Sequence, residues 1–97
     1  MLKIRITPRA ERDLLDIRDY IAQHNPRAAE RVRAHIERAI DLLAQFPGMS
    51  RPSSKAGIAV SVVPRFGYKV YFRVSADELE IVRIRHGARR EPTPDEL

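Results

Sequence analysis

The sequence predicts an α+β domain of order β-αα-βββ, an antiparallel sheet covered on one face by a helix hairpin. Three observations predict it. Residues 2–6 alternate apolar and charged, two amphipathic helical stripes meet at Asn25-Pro26, and three strand-like runs between Ile58 and His86 are divided by turn residues. At 97 residues and 43% hydrophobic content the chain can build one compact core and has no length for a second.

Leu2, Ile4 and Ile6 alternate with Lys3 and Arg5, the period-two pattern of a strand with one buried face. Thr7 is a helix N-cap, Pro8 fits the first helical position, and Glu11 complements the first-turn dipole. Ala10, Leu14, Ile17 and Ile21 then make one apolar stripe. Asp13, Asp16 and Asp19 are expected on the solvated side of this helix, paired with Arg9, Arg12 and Arg18.

Asn25-Pro26 ends the helix, because a residue before proline avoids the α region, and starts another with Asn25 as cap. The second helix places Ala29, Val32, Ile36, Ala39, Ile40, Leu43 and Phe46 on one face, and Pro47-Gly48 stops it. So tight a connection makes the two helices antiparallel. Residues 48–57, GMSRPSSKAG, read as a loop, and Ser53-Ser54-Lys55 within it has no acid-base partner. Strands follow at 58–63, 68–74 and 79–86, joined by turns at 64–67 and 75–78. The domain spans 1–90, and EPTPDEL at 91–97 is an acidic, flexible tail.

There is no cysteine, which excludes disulfides, thiolate metal sites and a cysteine nucleophile. His24, His35 and His86 lack metal-ligand spacing, so no metal or other cofactor is expected. No run approaches the roughly 20 apolar residues of a membrane helix, and the N-terminus lacks a secretory apolar stretch. The expected location is the cytoplasm. The net charge is +5, but it is uneven: residues 51–90 hold nine Lys/Arg against three acids, and residues 1–50 nine against seven. Positive potential in the C-terminal half suits nucleic acid or an acidic protein partner.

Strand alternation predicts where that charge points. Tyr68, Val70, Phe72 and Val74 share one face with Val82, Ile84 and His86. Lys69, Tyr71, Arg73, Leu79, Ile81, Arg83 and Arg85 are expected on the other, as an exposed cationic and partly apolar platform for a partner, or as a merely solvated sheet face.

The element order, the hairpin segment NPRAAERVRAHIERAIDLLAQFPGMSRP, the strand segment YKVYFRVSADELEIVRIRHGARR and the closing His86-Gly87-Ala88-Arg89-Arg90 resemble the RelE/ParE superfamily of type II toxins. That resemblance implies a RelE/ParE-like fold and a toxin held inactive by a cognate antitoxin. The antitoxin would be ParD-like, with a ribbon-helix-helix DNA-binding part and a disordered, often acidic C-terminal segment that folds around the toxin. Two activities divide the superfamily: RelE-like members cut mRNA on the ribosome, and ParE-like members inhibit DNA gyrase.

RelE-like nucleases place lysines on alternate positions of the strand after the hairpin, where this chain has Val60 and Val62. Lys69 matches a base on the next strand and Arg89 the arginine after the last, but the tail has no tyrosine. If the chain were a metal-independent endoribonuclease, Lys69, His86 and Arg89 would carry it, with His86 as acid or base. His86 as a hydrogen-bonded strand-end imidazole is equally compatible. The departures favour a ParE-like gyrase inhibitor without catalysis, with Lys69, Tyr71, Arg73, Leu79, Ile81, Arg83, Arg85, Arg89 and Arg90 binding antitoxin or target.

Overall fold

The computed structural model describes residues 1–49, 51–52 and 57–87. The chain runs β1 (Lys3–Ile6), α1 (Pro8–Ala22), α2 (Pro26–Gln45), a short 3₁₀ turn at Pro47–Met49, β2 (Arg51–Pro52), β3 (Ala59–Val62), β4 (Tyr68–Val74) and β5 (Glu78–His86). Arg89, Arg90 and the tail at 91–97 lie outside the described residues.

Both helix starts are set by side-chain caps. The Thr7 hydroxyl accepts from the Ala10 amide at 3.1 Å, and the Asn25 side chain accepts from the Ala28 amide at 3.1 Å. Pro8 and Pro26 follow, where a missing N–H costs nothing. Thr7 also donates to the Val82 carbonyl at 3.4 Å, tying the cap of α1 to β5.

The five strands are ordered β1-β5-β4-β3-β2. β3, β4 and β5 form an antiparallel meander, but β1 pairs parallel with β5, from Lys3 opposite Glu78 to Ile6 opposite Ile81. The sheet is therefore mixed, which corrects the expected antiparallel one. A period-two pattern marks a strand without giving its direction, and the helix hairpin supplies the crossover that parallel pairing needs.

Between sheet and helices lies the core, built from Ile36, Val63, Val70, Phe72, Leu79, Ile81 and Ile84 among others. Each such side chain contributes about 1.5–3 kcal/mol by leaving water. Ala29, Val32, Ile36, Ile40 and Leu43 of the α2 stripe are buried, while Phe46 at its end stays exposed.

One irregularity reorganises the sheet. Tyr71 pairs with Arg83, but Phe72 pairs with Ile81, so Val82 has no opposite number on β4. This is a bulge, and one extra residue reverses the alternation downstream of it. Leu79 and Ile81 consequently lie under the helices together with Ile84, fully buried. Val82 faces the other way, in a small cluster with Ile58, Val60 and Tyr71. Leu79 and Ile81 are thus removed from the predicted platform, and Val82 is added to that face.

Candidate functional site

Cross-strand pairing arranges the helix-free face in rungs. Val62, Lys69 and Arg85 form one, Val60, Tyr71 and Arg83 the next, and Arg73 with Glu80 another. The four cations expected to share this register do so, but they are not equally accessible. Arg83 and Arg85 are only 7% and 9% exposed, and Tyr71 is buried in the small apolar cluster. Lys69 is half-buried. Arg73 is exposed, with its Nε 3.3 Å from Glu80, which also pairs with Arg5. Alternation predicts which side of a strand a residue takes, not what its long side chain folds against.

Arg83 is the clearest correction. β1 ends at Ile6 and leaves the edge of β5 beyond Ile81 without a strand neighbour, and α1 fills that place. Asp13 of α1 accepts from the Ile84 amide at 3.0 Å, from Arg83 Nε at 2.8 Å and from Arg83 Nη2 at 3.1 Å. The two side chains are 9% and 13% exposed. Asp13 is thus a buried clamp on a strand edge, not part of a solvated ion-pair face. Of its expected companions, Asp19 pairs with Arg18 on the surface, and Asp16 lies at the rim of a cleft.

That cleft, of about 700 Å³, opens between α1 and the ends of β4 and β5. Tyr20, Tyr68 and His86 supply its aromatic walls, Ile17 and Ile84 its apolar surface, and Asp13, Asp16, Arg83 and Arg85 its charges. His86 packs edge-on against Tyr68, ring centroids 5.3 Å apart. Burial, and secondarily the nearby Tyr20, push the Tyr68 hydroxyl above its usual pKa, so it remains a hydrogen-bond donor. Next to it the chain is tightly closed: the Gly87 amide donates to the Gly67 carbonyl at 2.6 Å, and a Cβ on Gly87 would lie 2.7 Å from that oxygen.

Lys69 and His86 occupy neighbouring rungs and therefore opposite sides of the β4–β5 ladder. Strand geometry does not bring this pair of the proposed nuclease set together, and Arg89 is outside the described residues.

Sequence reasoning missed a groove of about 310 Å³ between the C-terminal half of α2 and β3. Leu42, Phe46 and Val62 line it and remain 44–52% exposed, with His35 and Arg38 along its edge. Its floor includes Ser61 and Val62, which lie beyond the reach of β2, since β2 pairs only with Ala59 and Val60. The signal was present in the doublet Leu42-Leu43 and in Phe46, which widen the apolar arc of α2 beyond what a two-helix hairpin covers.

Residues 4–91 match the family described as the ParE toxin of the type II toxin-antitoxin system parDE. The chain belongs to the ParE toxin family. Toxin RelE2 of Caulobacter vibrioides is 39% identical over 89 residues, covering 92% of this chain and 99% of the relative. Toxin RelE3 of the same organism is 33% identical over 91 residues, covering 93% and 99%. Among solved structures, the chromosomal ParDE system of P. aeruginosa superposes with a TM-score of 0.79 at 28% identity, over 89% of this chain and 96% of that one. The RelBE2 toxin-antitoxin complex of Mycobacterium tuberculosis superposes with a TM-score of 0.59 at 24% identity, covering 91% and 93%, and shares the fold.

On this ParE-family framework the described residues present two distinct surfaces. The groove beside α2 is apolar with the Arg38 guanidinium at its edge, suited to an amphipathic helix or strand bearing a carboxylate. The cleft at the β5 edge is aromatic and holds charges of both signs. Among the described residues no three His, Asp or Glu side chains converge as a metal site, and no helix is long and apolar enough to cross a membrane.

Proposed function

We propose that this ParE-family toxin acts by binding DNA gyrase rather than by cutting RNA, and that a ParD-like antitoxin neutralises it in the cytoplasm. The observation that carries the choice is the composition of the helix-free rungs. Metal-free RNA cleavage needs converging cations and a proton donor around one phosphate. Here the rungs of β3 offer Val60 and Val62, Arg83 is already engaged by Asp13, and Lys69 and His86 take opposite sides of the ladder. Inhibition by binding requires none of that convergence.

The antitoxin's place in this reading is the α2–β3 groove. Its exposed Leu42, Phe46 and Val62 form an apolar patch of the kind that marks an interaction site, and Arg38 favours an acidic partner. Lys69 and Arg73 remain the accessible cations of the helix-free face for target or antitoxin carboxylates.

Induction of the toxin in cells, followed by extraction of both plasmid DNA and total RNA, tests the proposal. Gyrase poisoning gives broken DNA with intact messages. Codon-spaced mRNA ends with intact DNA support the alternative, a RelE-like ribonuclease built on Lys69, His86 and Arg89, in line with the names of the two Caulobacter toxins.

A further inference from the structure

We propose that the solvent-facing side of α2, together with the β3–β4 turn, binds the phosphate backbone of duplex DNA. This face lies apart from the groove assigned to the antitoxin, except at Arg38, which borders both. Naked DNA is the ligand, so the site stands whichever macromolecule the toxin attacks.

Arg27, Arg31 and Arg38 are exposed and recur at helical spacing, within about 40° of arc, on the side of α2 opposite the buried Val32, Ile36 and Leu43. Arg33 is held by Glu30 at 3.0 Å and by Glu37 at 3.2 Å, which engages two of the three acids of α2 and leaves Asp41 as the flanking one. A fourth cation comes from the turn. Arg65 is exposed between Pro64, which lines the groove with Arg38, and Phe66, whose ring meets that of His35 edge-on with centroids 4.9 Å apart. The side chains of Arg27, Arg31, Arg38 and Arg65 make no hydrogen bond or ion pair among the described residues. The φ of Arg65, 78°, lies in the left-handed region, which glycine enters freely and arginine does not, and residues held there against that preference gather at functional sites.

The chemistry of this face selects its ligand. Ala34 and Gln45 complete the stripe, so it holds no large apolar side chain to anchor a protein partner. Four guanidiniums with spare donors suit phosphate oxygens, which they meet in bidentate geometry. Along the helix axis Arg27 and Arg31 are about 6 Å apart and Arg31 and Arg38 about 10.5 Å, with the small Ala34 between the latter pair leaving room for close approach. A helix of about 10–12 Å diameter fits the major groove of B-DNA, about 12 Å wide, with its arginines directed at the flanking strands, whereas the deep, narrow major groove of duplex RNA does not admit it. Phosphate contacts carry no sequence information, so sequence-independent binding is expected.

Fluorescence anisotropy of a labelled DNA duplex of about 20 base pairs, titrated with the chain alone in about 50–200 mM salt, tests this. Four phosphate contacts give a log–log salt slope of about −3.6, so affinity should fall about a hundredfold across that range. Arg31→Ala/Arg38→Ala should weaken binding at least tenfold and bring the slope to about −1.8. Arg65→Gly should weaken binding by about threefold or more while raising the melting temperature, which separates loss of the guanidinium from loss of the fold. Arg9→Ala/Arg12→Ala removes the same charge from exposed positions of α1 and should change affinity by less than about twofold. No saturable binding up to about 100 μM chain at about 50 mM salt, an equal loss in Arg9→Ala/Arg12→Ala, undiminished binding by Arg65→Gly, or a duplex RNA or glutamate-rich peptide bound through the same arginines at least as tightly as DNA overturns the proposal.

Discussion

Replacing Asp13 by alanine removes the acceptor of three hydrogen bonds at once: two from Arg83 at 2.8 and 3.1 Å and one from the Ile84 amide at 3.0 Å. The loss is not that of a surface pair. Both side chains are nearly enclosed, at 9% and 13% exposure, so Arg83 is left as a poorly solvated charge and Ile84 as an unmatched strand-edge amide. Breaking such a pair from one side costs about 3–5 kcal/mol. Against a total stability of about 5–15 kcal/mol for a domain of this size, that is a large fraction. At about 4–8 °C per kcal/mol the melting temperature falls by at least ~12 °C. Thermal and urea denaturation followed by circular dichroism measures it. Asp13→Asn keeps an acceptor for the Ile84 amide and should lose less. The double variant Asp13→Leu/Arg83→Met removes both charges and should recover much of the deficit, because an apolar pair leaves no uncompensated ion. A loss below about 1 kcal/mol for Asp13→Ala, the level of an exposed ion pair, refutes the assignment of Asp13 as a clamp on the β5 edge.

Leu42→Asp and Phe46→Asp, both at half-exposed groove positions, should leave the melting temperature nearly unchanged and weaken antitoxin affinity at least tenfold, by calorimetry with the purified antitoxin. Lys69→Glu with Arg73→Glu should slow association and reduce its salt dependence with little effect on the fold, as seen by surface plasmon resonance. Gly87→Ala forces a methyl against the Gly67 carbonyl oxygen and should cost about 1–3 kcal/mol, read from urea unfolding. Arg65, a non-glycine residue at φ 78° in the β3–β4 turn, should tolerate glycine with a gain of about 0.5–1 kcal/mol in the same assay.

The local chemistry of this chain was readable because it is local. Thr7-Pro8 and Asn25-Pro26 specify caps that need nothing beyond their own backbone, and the stripe through Val32, Ile36, Ile40 and Leu43 identifies the buried side of α2 without reference to the sheet. What resisted was every feature set by pairing across distance. Nothing in LEIVRIRH marks Val82 as the extra residue, yet that bulge decides that Leu79 and Ile81 are core while Arg83 shares a rung with Tyr71. The direction of β1 depends on where the hairpin returns the chain, so LKIRI alone did not distinguish parallel from antiparallel pairing. Asp13 looked like its neighbours Asp16 and Asp19, because its role depends on an edge 70 residues away in sequence. The cationic platform was accordingly right in register at Lys69, Arg73, Arg83 and Arg85, and wrong in treating all four as equally open to a partner.

The central claim, that this toxin acts on gyrase by binding, is tested most directly with purified components: gyrase, relaxed plasmid, ATP and the chain, with and without its antitoxin. The account predicts dose-dependent loss of supercoiling and accumulation of linear, gyrase-linked DNA, both reversed by stoichiometric antitoxin. Undiminished supercoiling by a preparation that arrests growth in cells, together with cleavage of ribosome-bound mRNA that His86→Ala abolishes, would contradict it.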